Sequence, residues 1–306
     1  MARRRDIPHS QNRIKRKRKI ILWKFLAILF AIILVVGGIA WGLSRPGLRI
    51  ARIEVTGNNV LGTDEIASFI RKEISGKYFF LFPKDSIVFY PKERIQNDLL
   101  DSFKQILSIK VSAQGLTALS VTINERKPYS LWCGETLFDT GVEGDTPCYF
   151  TDETGFLFAQ APRFGGNVYL EFYGSLYETE TGLPVRGLTA SDIAQAGTGT
   201  LSAISVGSIF LPISEFKTIN LFRDLFERMG FKISKITAMD AGDFTFIIRE
   251  GGKVLLNKKQ DPMRLVSDIE SAFRAEFGDP GDVLIRKQVE YIDARFANKI
   301  FFKKKK

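Results

Sequence analysis

FLAILFAIILVVGGIAWGL, residues 25–43, is a run of nineteen residues without a charge. Wound as an α-helix at about 1.5 Å per residue it spans roughly 28 Å, close to the hydrocarbon thickness of a bilayer. Trp23 and Trp41 stand near its two ends, where indole rings favour the headgroup boundary, and Lys24 can snorkel back to the same level. A cleaved secretory signal has a shorter apolar core, about 7–15 residues, followed by a small-x-small cleavage site. Here the segment runs on to Leu43-Ser44-Arg45-Pro46. The reading is an uncleaved transmembrane helix over residues 20–44, preceded by a basic tail over residues 1–19.

Outward from this span the charge is lopsided. The chain of 306 residues carries a net +10, yet residues 1–24 hold ten Lys or Arg against Asp6 alone, a net +9. Lys303–Lys306 add four more positive charges, so residues 25–302 sum to −3. The positive-inside rule then puts the tail in the cytoplasm and residues 45–306 outside the plasma membrane. Topology already accounts for the basic cluster, which has no interleaved aromatics, so nucleic acid is not an expected partner. At 45% hydrophobic and 25% charged over 306 residues, the chain has a globular composition and length enough for one large or two medium domains. Cys133 and Cys148 both fall outside, in an oxidising compartment. A disulfide there would close a loop of fourteen intervening residues and stabilise by about 3 kcal/mol in the chain-entropy model; two buried thiols are the other reading.

After the joint Arg45-Pro46-Gly47, Ile53 and Val55 alternate with Arg52, Glu54 and Thr56 as in a half-buried strand. Thr63 is placed to cap a helix bearing Ile66, Phe69, Ile70 and Ile74 on one face, and Pro91 opens a second with Ile95, Leu99 and Phe103. The Phe-rich stretch Tyr78–Tyr90 between them reads as a packed loop. Leu107–Val111 and Leu119–Asn124 alternate strictly about a turn at Gly115, completing a β-α-α-β-β unit over residues 48–127.

From Pro128 the texture changes to short strands: Tyr129–Trp132, Thr136–Phe138, Cys148–Thr151, Phe156–Ala159, Val168–Phe172, Lys232–Thr237, Phe244–Arg249, Lys253–Asn257 and Val289–Arg295. Two helices interrupt them, one capped by Ser214 and one begun by Asp261-Pro262, and Gly174–Leu201 reads as an insertion. The fold class is α+β, with a β-rich second unit over residues 128–306.

Little in the outer portion can do chemistry. The one histidine is His9, in the tail, which removes His-based triads and zinc sites from the outside. The acid pairs Asp152/Glu153 and Asp240/Asp243 would suit a glycoside hydrolase, but both lie in turn sequences between apolar strands. No catalytic residue, metal site or cofactor is nominated. The C-terminal cluster of Ile292, Phe296, Ile300, Phe301 and Phe302 about Asn298-Lys299 reads either as the end of the core or as an edge strand open to a partner, with Lys303–Lys306 as a solvated tail.

The whole layout resembles the FtsQ/DivIB cell-division family. Ile53-Glu54-Val55-Thr56-Gly57-Asn58 with Thr63-Asp64-Glu65-Ile66 resembles the opening of that family's POTRA domain. Glu125-Arg126-Lys127-Pro128-Tyr129-Ser130-Leu131-Trp132 resembles its E-R-x-P-x-A-x-W exit from that domain. Thr151–Phe158 is similar to its D-x-x-G-x-x-F hairpin and Tyr291–Phe296 to its late V-D-L-R-Y strand. The resemblance implies a non-catalytic scaffold of the division septum that binds FtsB/FtsL-like proteins through its last strands, here Tyr291, Phe296, Ile300, Phe301 and Phe302. Glu125, Arg126 and Pro128 would form the junction between its domains. The Cys133/Cys148 pair and the aromatic Tyr78–Tyr90 loop depart from the family pattern. A POTRA-bearing secretion component and a membrane-anchored cell-wall hydrolase are the competing expectations.

Overall fold

The structure, a computed structural model, describes residues 10–135, 147–164, 168–179, 206–239, 242–296 and 299–305, with side chains from residue 18 onward. The expected strand Thr136–Phe138, most of the expected insertion, Asp240 and the turn residue Asn298 lie outside the described residues. The protein is mixed α+β and divides into two compact units, Met1–Glu125 and Arg126–Lys306.

In the first unit α1 (Ser10–Leu43) comes first, and in it residues 10–19 of the basic tail and the apolar segment form one uninterrupted helix. Lys, Arg and Gln are good helix formers and no Pro intervenes, so the backbone does not register the boundary expected at residue 20. Residues Arg18–Leu43 are long and apolar enough to cross a membrane. The buried residues of α1 are Ala40 and Leu43, in its last turn.

Then follow β1 (Arg52–Thr56), α2 (Thr63–Glu73), the two-residue strands β2 (Lys77–Tyr78) and β3 (Phe82–Pro83), α3 (Lys92–Ser102), β4 (Ile106–Gln114) and β5 (Ala118–Glu125). Strand β5 is central: β1 lies parallel to it, with Val55 opposite Val121, and β4 antiparallel, with Val111 opposite Val121. Ile66, Ile70, Ile95, Leu99, Val111, Val121 and Ile123 form one core between helices and sheet. Gly57 has φ +83°, and a Cβ there would sit 2.2 Å from the Ile123 carbonyl oxygen, so only glycine fits that turn.

Three local expectations are corrected here. Thr63 is not the cap of α2; Gly62 is, and the Thr63 hydroxyl accepts from the Asn58 amide at 3.1 Å. An irregularity between Ile106 and Ser108 turns Ile106 inward and leaves Leu107 exposed, against the alternation over 107–111. The Tyr78–Tyr90 stretch packs only in part: Pro83, Ser86 and Ile87 are buried, but the β2–β3 tip is in solvent.

The second unit holds β6 (Ser130–Trp132), β7 (Tyr149–Thr151), β8 (Leu157–Gln160), β9 (Glu171–Tyr173), α4 (Ile213–Arg228), β10 (Ile233–Ala238), β11 (Asp243–Ile248), β12 (Lys253–Asn257), α5 (Pro262–Glu276), α6 (Val283–Lys287), β13 (Val289–Phe296) and β14 (Lys299–Lys304). Among the described residues its strands form one sheet in the order β14-β13-β12-β11-β10-β9-β6-β7-β8. Helices α4 and α5 pack on it through aromatic rings: Phe222 and Phe226 meet Phe246 of β11 with centroids 6.5 and 6.0 Å apart, and Phe273 meets Phe302 of β14 at 6.2 Å.

Side-chain alternation splits neighbouring residues between two cores. Trp132 and Phe172 join the helix-facing cluster, whereas Leu131, Cys133 and Tyr173 join a smaller one. In that smaller cluster Cys133 and Cys148 are joined by a disulfide. Ser214 does not cap α4, whose cap is Pro212; the helix starts two residues earlier than expected and places Ser214 in its first turn. Asp261 does cap α5, accepting from the Arg264 N–H at 2.8 Å. The expected strand Val168–Phe172 is shorter and shifted, since residues 168–170 are irregular and pairing begins at Glu171.

Candidate partner-binding edge

The two ends of the long sheet differ. At the start of β8, the Leu157 N–H donates to the Ser208 carbonyl and its own carbonyl accepts from the Gly207 N–H, so that end of the margin is occupied by chain. At the other end β14 pairs with β13 alone, and among the described residues no strand lies beyond it. An edge of this kind exposes a row of unpaired N–H and C=O groups that another strand can meet.

The residues singled out in the sequence do not act as one patch. Ile300 and Phe302 are half-buried against the core; the Phe302 ring lies 5.6 Å from Phe277 and 6.2 Å from Phe273. Phe296 and Phe301 stand out from the sheet, 52% and 48% exposed, with rings edge to face at 5.6 Å. The irregularity between Asp293 and Phe296 brings Phe296 beside Phe301 despite their register. Tyr291 sits opposite Lys303, whose ammonium is 5.7 Å from the ring centroid. The outward surface is thus Tyr291, Phe296 and Phe301, with Ile300 and Phe302 holding the strand down.

Ion pairs brace these strands, Lys303–Glu290 across the β13–β14 pair and Arg295–Asp293 within β13. Arg295 donates to Asp293 at 2.9 and 2.7 Å and approaches Asp243 at 3.5 Å. The guanidinium hydrogen bonds hold the Asp293 carboxyl below the usual carboxylate range. Lys303 pairs with Glu290 at 2.7 Å and Lys304 with Glu276 at 3.0 Å. The expected solvated tail Lys303–Lys306 is corrected accordingly: its first two residues belong to β14. Their charge hid them, although acids at Glu276 and Glu290 offered a signal.

Glu125, Arg126 and Pro128 are likewise not one cluster. The Glu125 carboxylate accepts from the Val60 and Leu61 N–H groups at 2.9 Å, within the first unit. Arg126 lies over the Phe156 ring at 4.1 Å and pairs with Asp152, within the second. Pro128 is exposed. Asp152 also accepts from the Thr154 N–H and hydroxyl, at 2.8 and 2.6 Å, and from the Phe156 N–H at 3.2 Å. Its carboxylate is spent on the turn and on Arg126, an arrangement that suits structure rather than acid/base chemistry.

Compared with known protein families, the chain matches no family model, and no curated protein matches it. The class that can be stated is a mixed α+β protein with a large sheet and one N-terminal helix fit to cross a membrane.

Proposed function

We propose that the protein is a single-pass, non-catalytic scaffold of the FtsQ/DivIB kind, with its basic tail in the cytoplasm and both units outside. On this reading it binds FtsB/FtsL-like partners at the bacterial division septum. The open β14 edge, with exposed Phe301 and Phe296 beside it, is the observation that carries the proposal. A partner segment adds there as a further strand, using main-chain hydrogen bonds for affinity and the aromatic pair for specificity. Further support comes from the first unit: apart from the two-residue strands β2 and β3 between its helices, the elements after α1 run strand-helix-helix-strand-strand as expected of a POTRA domain, with β1 parallel to β5.

Phe301→Lys is the direct test. It should abolish co-purification with an FtsB/FtsL-like pair while shifting the thermal midpoint by less than about 2 °C, since the side chain is half exposed. A fluorescent fusion should concentrate at midcell in constricting cells; uniform membrane signal there would reject the septal role and favour a secretion component.

A further inference from the structure

The tip of the β2–β3 hairpin is built against local preference. Phe79 and Phe80 both adopt the left-handed conformation, φ 48° and 62°, which bulky side chains avoid, and they are 87% and 95% exposed. Leu81, Val88 and Phe89 are exposed around them. The surrounding chain is firmly held: Lys77 pairs with Pro83 and Tyr78 with Phe82, and Phe82 and Phe89 have ring centroids 6.1 Å apart.

The hairpin is also stitched to the point where α1 ends. Strand β3 touches α1, whose buried residues are in its last turn. The Ile87 N–H donates to the Leu48 carbonyl at 2.9 Å, the Ile50 N–H donates to Asp85 at 2.8 Å, and Arg49 donates to the Asp85 carboxylate at 2.8 Å. Each of these two segments also carries a cation against a ring: Arg45 lies 3.9 Å from the Trp41 centroid and Lys84 5.4 Å from that of Tyr78.

We infer that Phe79, Phe80 and Leu81 form a second, interfacial membrane anchor that dips into the leaflet from which the C-terminal end of α1 emerges. The occupant is lipid because the tip offers rings and no hydrogen-bonding side chain, while Trp41, Arg45 and Lys84 have the aromatic and basic chemistry of a headgroup boundary. Two anchors fixed to each other hold the first unit at one tilt, which a single helix and a Pro-Gly joint would not. The proposal rests on α1 crossing the membrane and is independent of the septal role and of orientation.

The full chain, with its disulfide intact, is labelled with a nitrobenzoxadiazole dye at Phe80→Cys, at Leu81→Cys, or at Val60→Cys as the reference. Val60 is 82% exposed beyond the far end of β1. In nanodiscs of phosphatidylcholine and phosphatidylglycerol, lipids carrying a shallow nitroxide should quench the dye at 80 and 81 at least about threefold more than at 60. Iodide in the buffer should quench in the opposite order. Equal quenching at all three positions would overturn the proposal. Shielding from iodide without nitroxide quenching would overturn it too, placing protein rather than lipid over the tip. A chain that fails to enter nanodiscs would instead reject the span on which the proposal rests.

Discussion

Glu125 and Arg126 are neighbours in the chain whose side chains each anchor into their own unit. Arg126 is the more exacting of the two, because Asp152 is 9% exposed and would lose its counter-charge. Arg126→Ala should lower unfolding free energy by about 3 kcal/mol, measured by urea titration of the full chain in detergent, whereas Arg126→Ala with Asp152→Asn should recover about half of that loss. Spacing gave no hint of this parting, since adjacency fixes where two residues begin and not what they reach. The same limit explains the caps. Thr63 and Ser214 have the chemistry of N-caps, but Gly62 and Pro212 already held the extended backbone that position needs.

At the scale of elements, strands whose side chains alternate were legible in the sequence. Leu119–Asn124 and Lys253–Asn257 could be read to within two residues, because a period of two appears directly in residue type. Strand β14 was not fully legible, since Lys303 and Lys304 pair through backbone atoms that residue type does not report. Its partner β13 depends on the Asp293–Arg295 clamp. Asp293 has a depressed folded-state pKa, so its contribution is complete above the unfolded value and is lost as pH falls through the lower folded one. Stability should therefore fall more steeply as pH drops below about 4 in the wild-type chain than in Asp293→Asn, as followed by acid titration of Tyr and Trp fluorescence.

For the whole molecule, the apolar run made a helix long and apolar enough to cross a membrane plain, whereas the aromatic tip was hidden. A run of Phe residues reads as core by default, and a left-handed Phe pair contradicts the propensity on which such readings rest. Orientation has its own test. Arg45, Arg49 and Arg52 lie just beyond the span and compete with the tail. Replacing Arg13, Lys15, Arg16, Lys17, Arg18 and Lys19 with Gln should invert a large share of the molecules. Labelling of Val60→Cys by an impermeant maleimide in intact cells should then drop from near complete to roughly half or less, while unchanged labelling would mean the tail does not set topology.

Strand β1 leaves the end of α1 and runs parallel to β5, with Arg52 beside Ala118 and Thr56 beside Thr122. The chain therefore enters the sheet of the first unit at the start of that parallel pair and departs, at Glu125, from its opposite end. Along the eight residues of β5 the separation is about 26 Å. A pull on Glu125 directed along β5 is therefore resisted in shear across its ladders with β1 and β4, rather than by peeling the strands apart one hydrogen bond at a time.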